Sequence, residues 1–216
     1  MRPLHEIRGL RYPDEFLVRH FFRRGLHQRP GRVVELGCAA GSNLSLYQGF
    51  GWSVEGADID AQVISDARWN LGEDAVLVEA DLSQTTPTEL AGPYDAFLLP
   101  SSIYYLGTEP AERLIRDFAP RLKPGCEVFV RVRLPDDYRW GRGDRLGPSS
   151  WRLNTPETGE AGLRMDFYTE AEAVDLMRRT LDLRDVATLN VRFDNVQAMG
   201  MVRGNSDLII WGRTPS

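Results

Sequence analysis

Val33-Val34-Glu35-Leu36 is an aliphatic run holding one acid, and it gives way at once to Gly37-Cys38-Ala39-Ala40-Gly41-Ser42-Asn43, a loop almost bare of large side chains. An acid inside a strand is costly unless something pairs with it, and glycines leave a backbone open to close approach by a ligand. The next apolar run, Ser53 to Ala57, ends on Asp58, and the third, Ala75 to Ala80, ends on Asp81. A carboxylate about 20 residues beyond a glycine loop is placed to accept two hydrogen bonds from a ribose diol. Asp58 therefore points to a nucleoside-bearing ligand. Two phosphate-binding patterns are missing. A dinucleotide site needs G-x-G-x-x-G, whose third glycine lets a helix approach a pyrophosphate, and the spacing here fails; a P-loop needs Gly-Lys-Ser/Thr, and Lys123 is the only lysine. The expected ligand carries no phosphate.

Each acid also has a plainer reading. Glu35 can pair with a loop N–H or with the N-terminal helix, and we expect it to serve both this structural role and the ligand. Asp58 can cap the helix that follows, although Asp60 is better placed for that. Asp81-Leu82-Ser83 can be a simple turn.

The elements that position these residues follow from periodicity. Pro13-Asp14-Glu15 suits a helix start, and Phe16, Leu17, Val18, Phe21 and Phe22 give an apolar stripe running to about His27. Strands are expected at Val33–Leu36, Ser53–Ala57, Ala75–Ala80, Tyr94–Leu99 and Glu127–Val132. Helices are expected from Asn43 to Phe50, from Asp60 to Leu71 with Gly72 closing it, and from about Glu109 to Arg121. Thr169 with Glu172 forms a capping box for a further helix. Two strand-like runs follow, Asp182 to Phe193 and Asp207 to Arg213, joined by a Gly/Asn-containing connection. Apolar strands each followed by a helix indicate an α/β fold: a doubly wound, mostly parallel seven-stranded sheet with helices on both faces and an antiparallel C-terminal hairpin. We expect one domain over 1–216, with an N-terminal helical cap (1–30), a ligand-binding core (31–133), a Gly-, Pro- and Arg-rich substrate or lid loop (134–168) and a C-terminal helix with edge strands (169–216).

Composition bounds the rest. The chain of 216 residues is 42% hydrophobic and 26% charged, as in an ordinary globular domain. A net charge of -5 argues against general affinity for nucleic acid or anionic membranes. Eight arginines nonetheless face only Glu6, Asp14 and Glu15 within residues 1–32, read as a solvated basic helix face or as an element meeting an anionic ligand. No run approaches a signal peptide or a membrane span, so a cytoplasmic location is expected. Cys38 and Cys126 read as reduced, buried residues, with no disulfide and no metal cluster.

Five segments in order, from Arg32 to about Arg133, resemble the class I S-adenosylmethionine-dependent methyltransferases. The family's acid followed by G-x-G-x-G is matched by Glu35-Leu36-Gly37-Cys38-Ala39-Ala40-Gly41, with Ala39 at the middle glycine. Its strand-two acid is matched by Gly56-Ala57-Asp58-Ile59, and its strand-three acid by Ala80-Asp81-Leu82. The segment after strand four is matched by Tyr94 to Ser102, and the turn before strand five by Leu122-Lys123-Pro124-Gly125. The resemblance implies that Gly37 and Gly41 lie against the methionine part of S-adenosylmethionine. It implies that Asp58 holds the ribose, that Asp81 meets the adenine amine with Leu82 offering its backbone N–H, and that Tyr12 touches the cofactor's carboxylate. Glu35, Cys38, Ala39, Asn43, Ile59 and Pro100 complete the expected contacts.

The acceptor is narrowed by departures from the family's subclasses. Enzymes acting on base amines carry Asp/Asn-Pro-Pro-Tyr/Phe where this chain has Leu99-Pro100-Ser101-Ser102-Ile103-Tyr104, and catechol-type enzymes place a metal-binding acid where Pro100 and Ser101 stand. What remains is metal-independent transfer to an O or N atom of a small molecule, driven mainly by positioning. His20 is the candidate base and Tyr104 a candidate catalytic contact, with Tyr105 and the arginines Arg139, Arg142 and Arg145 beside the substrate. The plainer alternatives are a packing histidine, packing tyrosines and a self-paired surface loop. Rival readings are an NAD(P)-dependent oxidoreductase and a non-catalytic ligand-binding protein on the same fold.

Overall fold

The computed structural model describes residues 3–197 and 200–216. Asp14 opens α1 (Glu15–Arg23), its side chain accepting from the Phe16 and Leu17 amides, as expected of an acid before a helix. The helix stops earlier than the apolar stripe suggested, because Gly25 takes a left-handed conformation and turns the chain into a 3-10 segment at Leu26–Gln28. β1 (Arg32–Leu36), α2 (Ser42–Gly49), β2 (Ser53–Asp58), α3 (Ala61–Leu71) and β3 (Val76–Glu79) follow within a residue or two of the expected bounds. β4 (Tyr94–Pro100), α4 (Thr108–Phe118) and β5 (Leu122–Arg133) complete the parallel set.

Residues 134–168 were expected as a loop. They hold a second, antiparallel sheet of β6 (Gly143–Gly147), β7 (Ser150–Leu153) and β8 (Arg164–Asp166), in the order β6-β7-β8. Trp140, Trp151 and Phe167 give it an apolar centre, with Trp140 and Trp151 ring centroids 4.2 Å apart. α5 (Glu170–Leu181) begins with the expected reciprocal Thr169/Glu172 capping box. β9 (Arg184–Gln197) and β10 (Gly200–Arg213) form the final antiparallel pair, each longer than its apolar run. The connection expected between them includes residues 198 and 199, which lie outside the described residues.

The main sheet has the order β3-β2-β1-β4-β5-β10-β9. Its first five strands are parallel, and β10 runs antiparallel between β5 and β9. Strands apolar on both faces demand cover on both faces. α4 and α5 cover one, where Phe97 stacks on Phe118 at 5.5 Å. α1, α2 and α3 cover the other, around Phe21, Tyr47 and Trp52. Strand order reverses between β1 and β4, which opens a crevice at their carboxyl ends. No helix among the described residues is long and apolar enough to cross a membrane.

Candidate active site

The carboxyl ends of β1 and β4 open into a cleft of about 580 Å3. The strand that delivers Glu35 is buried from Val33 onward, so the acid arrives 1% exposed. Its Oε1 accepts a 2.7 Å hydrogen bond from Asn43 Nδ2, while Oε2 is buried without a partner. Burial pushes the Glu35 carboxyl up to about 8; the Asn43 bond works against this, and the charges of Asp58 and Asp14 add to it. An acceptor atom left bare at the floor of a cleft is a place for a donor, and best for a cationic one.

The loop after β1 is pinned by its neighbours. The Gly37 and Cys38 amides donate to Ala57 O at 2.8 and 3.0 Å. Gly37 has φ +80, and a Cβ there would lie 2.4 Å from Ser102 Cβ, so β4's exit leaves room for glycine only. Gly41, at φ +79, presses on Leu71 in the same way, behind the cleft. Ala39 is left-handed too, at φ +45, a conformation costing a non-glycine residue about 1 kcal/mol or more. Ser101, at the cleft's β4 side, shares this feature at φ +60.

Asp58 holds the loop from beneath. Its Oδ2 accepts from the Ala39 amide at 2.9 Å and its Oδ1 from the Asp60 amide at 3.2 Å. Asp60, not Asp58, caps α3, by accepting from Gln62 N and Val63 N. Ionised carboxylate oxygens accept more than one bond each, so half-exposed Asp58 can still receive a diol.

Of the residues singled out from sequence, Tyr12, Glu35, Gly37, Cys38, Ala39, Asn43 and Pro100 line this cleft. Asp58 borders it through Ala39. Exposed Ile59, Asp81 and buried Leu82 do not line it. Asp81 makes the turn that was its plainer reading, accepting from Ser83 N at 2.9 Å and Ser83 Oγ at 2.6 Å. Cys38 is 2% exposed, and burial raises its thiol well above the usual range, which leaves it a small packing residue.

Neither catalytic candidate is brought to the cleft. His20 sits toward the other end of α1, its ring 5.7 Å from Phe129 and 6.3 Å from Trp211, with Nε2 3.8 Å from Glu127. Burial lowers it to about 4, and it borders a separate cavity with Arg19 and Arg23. The stripe that buries α1 also buries His20, so it is a packing residue and cannot serve the cleft as base. Tyr104 is 1% exposed within the α4 side of the core, with the Arg133 guanidinium 5.7 Å from its ring. Its neighbour Tyr105 donates to Glu160 at 2.7 Å. Among the three loop arginines, Arg142 pairs with Glu157 and Arg145 with backbone carbonyls at the surface, but Arg139 is 3% exposed between Asp137 and Glu160.

The sequence reading missed the group that walls the cleft. Asp14, after capping α1, bonds Arg131; Arg131 and Arg133 both bond Asp207, itself 1% exposed. Asn43 joins this group to Glu35, its Oδ1 accepting from the Asp14 amide at 2.8 Å. Arg131 and Phe193 face the cleft. The available signal was Arg131-Val132-Arg133, two cations that follow the apolar run Val128-Phe129-Val130.

A family model described as a methyltransferase domain matches residues 6–185. With this fold and this site, the chain belongs to the class I S-adenosylmethionine-dependent methyltransferases. Among solved structures it is similar to an S-adenosylmethionine-dependent methyltransferase from Methanosarcina mazei, with 17% identity, covering 90% of this chain and 98% of that one, at TM-score 0.67. It is also similar to the 1,6-didemethyltoxoflavin-N1-methyltransferase of Burkholderia thailandensis, solved with 1,6-didemethyltoxoflavin and S-adenosylhomocysteine (15% identity, 93% and 76% coverage, TM-score 0.61). A third is N-methyltransferase NodS of Bradyrhizobium japonicum WM9 with S-adenosylhomocysteine (16% identity, 92% and 85% coverage, TM-score 0.62). At these identities the likeness is one of fold. No curated protein matches the sequence.

Proposed function

We propose that this chain moves the methyl group of S-adenosylmethionine to an O or N atom of a small-molecule acceptor without a metal ion. The observation that carries the reading is Glu35: a buried carboxyl with one bare oxygen at the floor of a cleft whose adjoining loop has no bulky side chain. That oxygen suits the ammonium of the cofactor's methionine part, and Asp58 suits its ribose hydroxyls. Asp81 is assigned to the adenine amine, with its Oδ1 already engaged by Ser83. When bound, the sulfonium supplies an electrophilic methyl group.

The remaining work is done by this chain's residues. Tyr12 and Phe193 flank the cleft, and the Asp14–Arg131 pair holds its wall in place. With His20 and Tyr104 both away from the cleft, the acceptor atom is one that needs little help in losing a proton, such as a neutral amine or a ring nitrogen. Two of the similar structures are named N-methyltransferases, one holding 1,6-didemethyltoxoflavin, which supports this choice. Pro100 and Ser101 at the cleft supply no metal-binding acid. Residues 1–30 and 134–168 are assigned as the cap and the substrate side of the site.

Calorimetric titration with S-adenosylhomocysteine and with NAD tests the cofactor. Binding of the first only is expected, and binding of NAD alone overturns the reading. Incubation with S-adenosylmethionine and a panel of small amines, phenols and heterocycles, read as a methyl-sized mass gain, tests the acceptor class.

A further inference from the structure

A second cavity, of about 290 Å3, lies between α5, the end of β8 and the turn joining β6 to β7. Asp166 is at its floor, 1% exposed. Its Oδ1 accepts from Ser150 Oγ and, at 2.9 Å, from Arg164 Nε, whereas its Oδ2 is buried with no hydrogen-bond partner. The Tyr168 side chain, 5% exposed, lines the same cavity beside Thr108. Buried carboxylate oxygens are ordinarily paired, and an oxygen that can only accept calls for a donor.

Charge selects the kind of donor. Asp166, Glu172 and Asp175 face the cavity; Arg164 is bonded to the first, and Arg179, which Glu112 also engages, to the third, so carboxylates still outnumber cations. An anion drawn to the start of α4 at Thr108 would meet three carboxylates. A divalent metal ion wants six or more oxygen ligands, or three or four side chains of harder geometry; among the described residues no three His, Cys, Asp or Glu side chains converge to hold one. Apolar walls from Phe167 and Leu176 add a place for hydrocarbon.

We propose that this cavity binds a small organic ammonium ion, with its apolar body against Phe167 and Leu176 and an N–H directed at Asp166 Oδ2. The site is separate from the cofactor cleft and does not depend on the reading of that cleft.

Titration of the full chain with benzylamine, benzyl alcohol and benzoate, followed by calorimetry and backbone amide NMR, tests it. The expected result is saturable one-site binding of benzylamine, with shifts centred on Ser149, Phe167 and Leu176. The alcohol and the benzoate should bind at least about tenfold more weakly, since a charge-assisted bond to a buried carboxylate is lost or reversed. Asp166→Asn should weaken benzylamine by a similar factor and leave S-adenosylhomocysteine affinity unchanged. If that variant fails to fold, Ser149→Phe, which fills the mouth and keeps the carboxylate, should abolish benzylamine binding in its place. Equal affinity for amine and alcohol, shifts located elsewhere, or no saturation at millimolar amine overturns the proposal. Loss of S-adenosylhomocysteine binding by the unaltered chain overturns the cofactor reading and leaves this one standing.

Discussion

At Glu35 the protein carries an electrostatic cost that either a proton or a bound cation relieves. Its carboxyl is raised from 4.5 to about 8 by burial, so between those values the folded state holds a proton that the unfolded chain has lost. Stability must then fall as pH rises through that window. Glu35→Gln is expected to flatten this part of the denaturant-midpoint profile and raise the midpoint at pH 8, while weakening S-adenosylhomocysteine binding at least about tenfold. His20 has the opposite sign. Its folded value is about 4 against 6.5, so its contribution is present above pH 6.5 and is lost as pH falls toward 4. His20→Gln should remove that acid-side loss and leave the pH profile of methyl transfer unaltered; a profile that moved would return His20 to the reaction. Ala39, exposed at φ +45, makes a third residue-scale case. Ala39→Gly should raise stability by about 0.5–1 kcal/mol in a urea melt, because only the backbone conformation is relieved.

Between elements, the decisive contacts are those of Asp207. This one buried carboxylate on β10 serves Arg131 and Arg133 on β5, and Arg131 reaches on to Asp14 at the start of α1. Removing one partner of a buried charge group leaves the others uncompensated, at a cost of about 3–5 kcal/mol. Asp207→Asn should therefore lower the urea midpoint strongly and expose both the N-terminal segment and residues 134–168 to limited proteolysis. Cleavage confined to one of the two would argue against this linkage. Little of the group was legible in the sequence, because its bonds join residues 74 to 117 positions apart and no periodicity reports on them. The strands β1 to β5 were legible for the contrary reason: double-sided burial writes an apolar run that ends where the ligand side begins. β6 to β8 were hidden, since Gly143–Gly147 and Arg164–Asp166 are short and mostly polar, and are strands only by virtue of pairing with β7.

For the molecule as a whole, the doubly wound parallel sheet was readable from alternating strand and helix patterns, whereas the order β3-β2-β1-β4-β5 and the reversal between β1 and β4 that places Glu35 and its loop were not, because pairing between distant strands leaves no mark on local periodicity. His20 and Tyr104, the two catalytic candidates, are both residues whose chemistry suits a site but whose side chains are buried in packing away from the cleft. Cofactor capture should register globally. At about 100 times its dissociation constant, S-adenosylhomocysteine should add about 2.7 kcal/mol and raise the thermal midpoint by roughly 5–11 °C for a chain of this size, with no rise for NAD.

The insertion of β10 between β5 and β9 also sets an order of events. Arg131 and Arg133 lack their shared partner Asp207 until that strand is seated, and the wall of the cleft leans on Arg131. A collapsed chain that has formed its five parallel strands but not admitted β10 has a nucleotide-like crevice with no firm side to close it. Full affinity for the methyl donor is thus expected to return on refolding only after β5 and β10, the most sequence-distant pairing in the sheet, have met, which stopped-flow refolding in the presence of S-adenosylhomocysteine reads directly.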